Sequence, residues 1–299
     1  MYYLTGFADE AAADIDGQIR ATQALGWENI ESRNIDGQNV HNISDDKFDR
    51  VCEKLDCAGV KVNCFGSELA NWSKSILDPF DETLAEVKRA IPRMQTLGTK
   101  LIRVMSYAIM KDRAPDDQEE EERFRRLREM QKMFSDAGLV MVHENCMNYG
   151  GMGWPFTLKL IDNVPGLKLV FDTGNPSCSE DRAKPSPRPR QSTWEFYEHV
   201  KEHVAYVHIK DSIFEEDVEG AVFPKARFTF PGEGDGAVRR VLEDLLRGGY
   251  DGGLSIEPHM GVVFHDASVQ SKEEARFDTY VEYGRRLGAL LDEIGRATP

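Results

Sequence analysis

The sequence predicts an α/β protein, a single (β/α)8 TIM barrel occupying residues 1–299. A strand-then-helix unit recurs eight times, which implies parallel strands joined by crossover helices and closed into a barrel. A glycine repeatedly separates a helix from the next strand, as helix-terminating glycines do. Four of the later strands end in Glu, Asp, His and Glu, and the carboxyl ends of the strands are where a barrel of this kind places its chemistry.

The first unit pairs a strand at Tyr2–Ala8 with a helix over residues 14–25, closed by Gly26. The second joins Asn29–Arg33 to a helix over 45–58. There Ser44 reads as the N-cap, two aspartates follow in the first turn, and Gly59 closes. Lys61–Gly66 and the helix over 79–97, ending at Gly98, form the third; Lys100–Ser106 and 120–137, ending at Gly138, the fourth. The acidic block Asp116–Glu122 before that helix suits the positive end of its dipole. The second half continues with Val140–Cys146 and 155–163, Lys168–Thr173 and 191–203, Ala205–Lys210 and 236–248, and Gly253–Pro258 and 272–294. Gly249 closes the seventh helix.

The four terminal runs are Val140–Glu144, Leu167–Asp172, Val204–His208 and Leu254–Glu257. Each is rich in strand-forming residues, and a charge at the end of a buried strand is costly unless paired. Glu144, Asp172, His208 and Glu257 converging on one point would repel each other without a cation. Oxygen ligands with one imidazole suit a borderline-hard divalent ion such as Mn²⁺, Mg²⁺ or Co²⁺, with Zn²⁺ the softer alternative.

Composition narrows the function classes. Forty per cent hydrophobic and 30% charged residues describe a soluble globular chain. A net charge of −15 argues against a nucleic-acid partner. Neither a run long enough to cross a membrane nor a basic-then-apolar leader is evident, so the expected location is the cytoplasm. A homo-oligomer is left open. Five scattered cysteines make neither a zinc knot nor a redox pair. Cys146 shares the inward face with Glu144 by alternation, but nothing beside it marks a nucleophile.

Two loops interrupt the repeat. Asn175–Pro189 is rich in Pro, Ser and Arg and reads as an extended surface segment, or as a lid or oligomer contact on the catalytic face. Ser212–Gly236 reads as a loop ending in Phe230-Pro-Gly-Glu-Gly-Asp-Gly, whose amides are a candidate for receiving an anionic oxygen, although glycine-rich turns are common without one. Phe65 stands at the end of the third strand and Trp72 follows it. Trp72 is a candidate wall for a sugar ring, and Phe65 is equally a core residue.

Phe7-Ala-Asp-Glu, Ile30-Glu-Ser-Arg, Glu144-Asn, Phe171-Asp-Thr-Gly-Asn, Val207-His-Ile-Lys-Asp, Pro231-Gly-Glu-Gly-Asp and Ser255-Ile-Glu-Pro-His together resemble the sugar phosphate isomerase/epimerase family of xylose isomerase-like barrels. The resemblance spans essentially the whole chain. It implies that Glu144, Asp172, His208 and Glu257 hold one divalent ion, with Mn²⁺ favoured. It further implies proton transfer next to a carbonyl of a small carbohydrate, the ion stabilising an enediolate while Glu144 and Glu257 remove and return the carbon-bound proton. Lys210 and Asp211 would stand beside the metal or substrate, and Lys210, Asn175 and His259 would contact substrate.

The chain departs from ketose 3-epimerases at two substrate-contact positions. Asn175 stands where they carry His, and Phe214 where they carry Arg; Arg227 is a candidate replacement. These departures count against free D-psicose or D-tagatose and favour a 3-keto-sugar, keto-glycoside or keto-inositol. The runner-up is a lyase or dehydratase built on the same enolate. An endonuclease IV-like phosphodiesterase would need three zinc ions, and the seven histidines are too few, with His41, His199 and His203 outside the strand ends.

Overall fold

The computed structural model describes residues 2–261 and 273–297. Eight parallel strands form one sheet: β1 (Tyr3–Gly6), β2 (Asn29–Ser32), β3 (Lys61–Gly66), β4 (Leu101–Val104), β5 (Val140–Glu144), β6 (Lys168–Asp172), β7 (Val204–Ile209) and β8 (Gly253–Ile256). Neighbours run β2-β3-β4-β5-β6-β7-β8-β1. A parallel bridge between Phe7 and Glu31 joins the two ends and closes the ring. The helices are α1 (Ile15–Ala24), α2 (Asp45–Ala58), α3 (Phe80–Leu97), α4 (Glu120–Asp136), α5 (Trp154–Asn163), α6 (Thr193–Val200), α7 (Val238–Arg247) and α8 (Glu273–Ala297). Every expected strand and helix is present, with ends that differ by a few residues. The expected first residue of the last helix, Lys272, lies outside the described residues.

The boundary residues behave as their chemistry requires. Ser44 caps α2 by accepting from the Lys47 amide. Gly26, Gly59, Gly98, Gly138 and Gly249 have φ of +68, +67, +68, +71 and +76°, the left-handed region where a side chain is strained. The acidic block leads into α4, with Glu120, Glu121 and Glu122 in its first turn. Arg123, fully buried in the same helix, donates to the carbonyls of Gln118, Ser106 and Ala108 and so fastens the loop after β4.

Most of the core lies between sheet and helices, where Phe65, Phe124, Phe134 and Phe171 pack. Phe65 is therefore a core residue. A smaller cluster fills the barrel interior: Cys64, Val142, Val170 and Tyr206. Alternation puts Glu144, Asp172 and His208 on the same inward face, two residues above Val142, Val170 and Tyr206. The apolar layer is thus the floor of the polar one.

The segment expected as a loop, Ser212–Gly236, instead contains an antiparallel hairpin, Asp211–Glu216 with Lys225–Thr229. Lys-Ala-Arg-Phe-Thr-Phe at 225–230 alternates polar and apolar residues, a period-two signal that accounts for this strand. The glycine turn that follows is already occupied. The buried Asp211 carboxylate accepts from the amides of Gly232 (2.8 Å), Gly234 (3.0 Å), Gly236 (2.8 Å) and Ser212 (3.0 Å). An internal anion fills the place considered for an external one. A Cβ on Gly236 would lie 2.8 Å from Asp211 Oδ1, so this turn needs glycine. Asp211→Asn places an amide NH₂ against these donors; destabilisation of about 2–3 kcal/mol is expected, on the scale of hydrogen bonds to a charged group, readable by urea unfolding.

Asn175–Pro189 is also more ordered than a solvated loop. It opens with a short helix, Asn175–Cys178, and Glu180 and Arg190 form an antiparallel bridge. The Gln191 amide donates to the carbonyls of Gly151 and Glu180, and the Arg182 backbone amide to Met152 O.

Candidate metal centre and active site

Glu144, Asp172, His208 and Glu257 are all buried, and one ligand atom from each lies within 4.8 Å of the others. Asp172 and His208 are paired residues on β6 and β7, and Glu144 ends β5. Glu257 follows β8 and is held to β7 through its amide, which donates to Ile209 O at 3.0 Å. Strand register therefore sets the spacing, and rigid elements carry all four groups.

His208 Nδ1 lies 3.6 Å from Glu144 Oε1, 3.8 Å from Glu257 Oε2 and 4.0 Å from Asp172 Oδ2. It is fully buried and has no hydrogen-bond partner. The other ring nitrogen, Nε2, is 3.1 Å from Glu31, which is itself fixed by the Ser255 hydroxyl at 2.6 Å. A proton on Nε2 donated to Glu31 leaves the Nδ1 lone pair facing the carboxylates, as a metal-binding imidazole requires. The Phe7 ring stands edge-on to His208 with centroids 4.9 Å apart and limits its tilt.

Charge counting supports the same reading. Six carboxylates are buried around the barrel mouth (Asp9, Glu10, Glu31, Glu144, Asp172, Glu257) against three fixed cations (Arg33, Arg103, Lys210) among the described residues. The carboxylates outnumber these cations even when His208 carries a second proton, and a divalent ion at Nδ1 would take the place of that proton. The residues thus fit a single hard or borderline ion.

The fixed cations are distributed with purpose. Arg103 Nη1 donates to Glu144 Oε2 at 2.8 Å. Arg33 Nη1 donates to Glu257 Oε1 at 3.0 Å, while its other nitrogens grip Asp9 and Glu10. Lys210 Nζ donates to Glu257 Oε2 at 2.9 Å and stands 3.0 Å from Asp172 Oδ2. Gly174 makes room for it, since a Cβ there would meet Lys210 Cγ at 2.8 Å.

Proton affinities follow. Burial pushes Glu144 up, but Arg103 and His208 outweigh it and hold the carboxyl down at about 2. Burial likewise opposes ionisation of Glu257, yet Lys210, His259, His208 and Arg33 hold it well below the usual carboxylate range. Asp172 is pushed up to about 7 by burial and by the two glutamates, against Lys210. For His208, burial lowers the pKa, and Glu31 and Glu144 together raise it to about 10, so proton and dication compete for Nδ1. The Cys146 thiol is pushed up by burial, first, and by Glu144, which removes thiolate chemistry.

The remaining expected contacts divide. A cavity of about 310 Å³ opens over the cluster and is lined by Trp72, Arg33, Arg103, Lys210, Cys146 and His259 among others. Trp72 packs edge-to-face on Phe223, 4.9 Å between centroids. Asn175 is brought in from the side, its amide donating to Glu144 Oε1 at 3.2 Å. His259 accompanies Glu257, with Nε2 3.6 Å from Oε1, and its Nδ1 is 2.9 Å from Glu10. Arg227 does not join them: it is exposed on the hairpin and outside the cavity lining.

Glu31, Arg33 and Arg103 were not singled out individually from the sequence. Their signal is weaker than that of the candidate ligands: Glu31 and Arg103 stand inside the short strands β2 and β4, and Arg33 directly follows β2. A second acidic group, Glu10, Glu257 and His259, also has metal-type spacing, but Arg33 already binds both of its glutamates.

Fold and cluster together define a (β/α)8 barrel whose mouth carries a buried Glu/Asp/His group that could hold a metal ion. Residues 19–287 match the family described as xylose isomerase-like TIM barrels, and the chain belongs to that family. No curated protein matches the sequence significantly. Among solved structures, L-ribulose 3-epimerase is similar at TM-score 0.67 and 14% identity, over 99% of this chain and 97% of that one. The probable 3-DHS dehydratase of petrobactin synthesis from Bacillus anthracis gives 0.67 and 15%, over 96% and 99%. A xylose isomerase-like TIM barrel protein from Mycobacterium smegmatis, in complex with magnesium, gives 0.67 and 14%, over 97% of each chain. These likenesses establish the fold. Among the described residues no helix is long and apolar enough to cross a membrane.

If the four residues bind one ion, Glu144→Gln and Asp172→Asn should each lower Mn²⁺ occupancy, since each removes a charged ligand at constant size. Full occupancy of both purified variants by metal analysis contradicts the assignment.

Proposed function

We propose that this chain is a divalent-metal-dependent isomerase or epimerase acting on a keto-sugar or related polyol. The observation that carries the reading is the pairing of Glu144 and Glu257. Each turns one oxygen towards the cluster, while a separate arginine holds the other, Arg103 for Glu144 and Arg33 for Glu257. Both are thereby kept ionised, the form that accepts a proton. A divalent ion held by Glu144, Asp172, His208 and Glu257, with Mn²⁺ the first choice and Mg²⁺, Co²⁺ or Zn²⁺ the alternatives, would supply Lewis-acid polarisation of the substrate carbonyl. Glu257 or Glu144 removes the proton from the adjacent carbon and later releases it to solvent. The other carboxylate takes up one solvent proton through the open cavity and delivers it to the opposite face, so one proton leaves the substrate and one returns. Lys210, beside Asp172 and Glu257, is placed to donate to a substrate oxygen, and Trp72 to cover a sugar ring. Asn175 fixes Glu144 and presents a polar edge to substrate. Similarity to an L-ribulose 3-epimerase supports this reading.

The dehydratase reading is second, supported by similarity to the probable 3-DHS dehydratase and by His259, 3.6 Å from Glu257 and able to protonate a leaving hydroxyl. Incubation of the Mn²⁺-loaded protein with keto-sugars and keto-inositols in D₂O separates the two. A deuterated epimer or isomer is expected; an unsaturated product identifies the lyase, and no exchange into any substrate rejects both.

A further inference from the structure

We propose that the substrate carries an oxyanion, phosphate or carboxylate, at the end remote from its carbonyl, and that Arg182 and Arg188 bind it in a second cavity beside the metal centre. This rests on the reading of the first cavity as the reaction site. The second cavity, of about 370 Å³, is lined by Lys111, Arg182, Arg188 and Arg190, with Glu180 and Asp217 as the acidic side chains. Four cations against two anions leave a local excess of two positive charges in a chain whose net charge is −15. Such a concentration is costly without a counter-charge.

The pairing inside this cavity is incomplete. Arg190 is committed to Asp217 and to Cys178 O. Lys111 is committed to Ala221 O. Arg188 reaches Glu180 only at 3.6 Å. Among the described residues Arg182 forms no ion pair, and its guanidinium makes only a 3.3 Å bond to Arg113 O. The Nε atoms of Arg182 and Arg188 are both buried without a hydrogen-bond partner. Both guanidiniums line one cavity with donors to spare, and the planar donor set of a guanidinium matches an oxyanion.

The wall is also preorganised and continuous with the reaction site. Arg182 and Arg188 are held by the Glu180–Arg190 bridge and the Gln191 bonds described above. Phe223 lines both cavities. A smaller space between them shares Met147 and Cys178 with the basic side, and Lys210 and His259 with the metal side. A substrate with its carbonyl over the metal centre and its anionic end among the arginines would follow this trough.

The test has two arms on the full Mn²⁺-loaded chain. In the first, sulfate is titrated calorimetrically at low ionic strength into wild type and the double variant Arg182→Met, Arg188→Met. Loss of about tenfold or more in affinity is expected, with unchanged Mn²⁺ content. Equal sulfate binding by the two proteins overturns the proposal. The second arm compares D-fructose, D-fructose 6-phosphate and D-fructuronate as matched neutral, phosphorylated and carboxylate ligands. Tighter binding of one anionic member, abolished by the double variant, is expected and says which oxyanion fits; no difference between neutral and anionic members overturns the proposal. Failure of the reaction-site reading is separately visible, as loss of Mn²⁺ binding with the sulfate result intact.

Discussion

Glu257→Gln should lose at least about 10²–10⁴-fold in exchange of the substrate's carbon-bound proton, the usual contribution of general acid–base catalysis, and added Mn²⁺ should not restore it. His208→Asn should lose activity mainly through metal affinity and regain much of it as Mn²⁺ is raised, because Asn keeps a ligand atom and His208 carries no substrate proton. Both variants are read by solvent deuterium wash-in across a Mn²⁺ titration. The contrast matters more than either number. In the Glu257→Gln variant the side chain keeps its size and one acceptor oxygen, for either Arg33 or Lys210 and the cluster, while its basicity and one of the two cation contacts are lost. Recovery of this variant to near wild-type rates would move the base to Lys210 or His259, both within reach of the same carboxylate.

The second large effect is expected at a residue that touches neither metal nor substrate. Glu31 accepts from His208 Nε2 and from Ser255, and is fully buried beneath the cluster. Glu31→Gln removes the charge that fixes which imidazole nitrogen carries the proton. A loss of about 10–100-fold in Mn²⁺ affinity is expected, the range typical when a carboxylate supporting a metal-bound histidine is altered. Calorimetric Mn²⁺ titration measures it, with urea unfolding of the metal-free variant as control. Unchanged affinity would mean that the strand register alone orients His208.

The convergence of the four candidate ligands was legible because its signal is local. A strand with a bulky apolar residue at one position and a Glu, Asp or His two places on must present both on one face, as Val142–Glu144, Val170–Asp172 and Tyr206–His208 do. Barrel closure then brings the ends together. The arginines were less legible, since the identity of their partners depends on which strand ends meet across the mouth, and Arg33 reaches Glu257 over 224 residues of sequence. Arg227 is the contrasting case: proximity along a loop suggested a substrate contact, and the hairpin pairing with Ile213 places it exposed and away from the cavity over the cluster. The glycine turn after the hairpin illustrates a third case. Free amides were legible in the sequence, but not the buried Asp211 that takes them.

Arg33 gives the barrel mouth a cation that no chelator can strip. Dialysis against a metal-binding agent can remove a dissociable ion, yet the guanidinium stays tethered between Asp9, Glu10 and Glu257. The rim is therefore part-neutralised at any metal supply. On the proposed reading, loading is then the capture of an ion by an already shaped site, and the architecture around it does not wait on the metal.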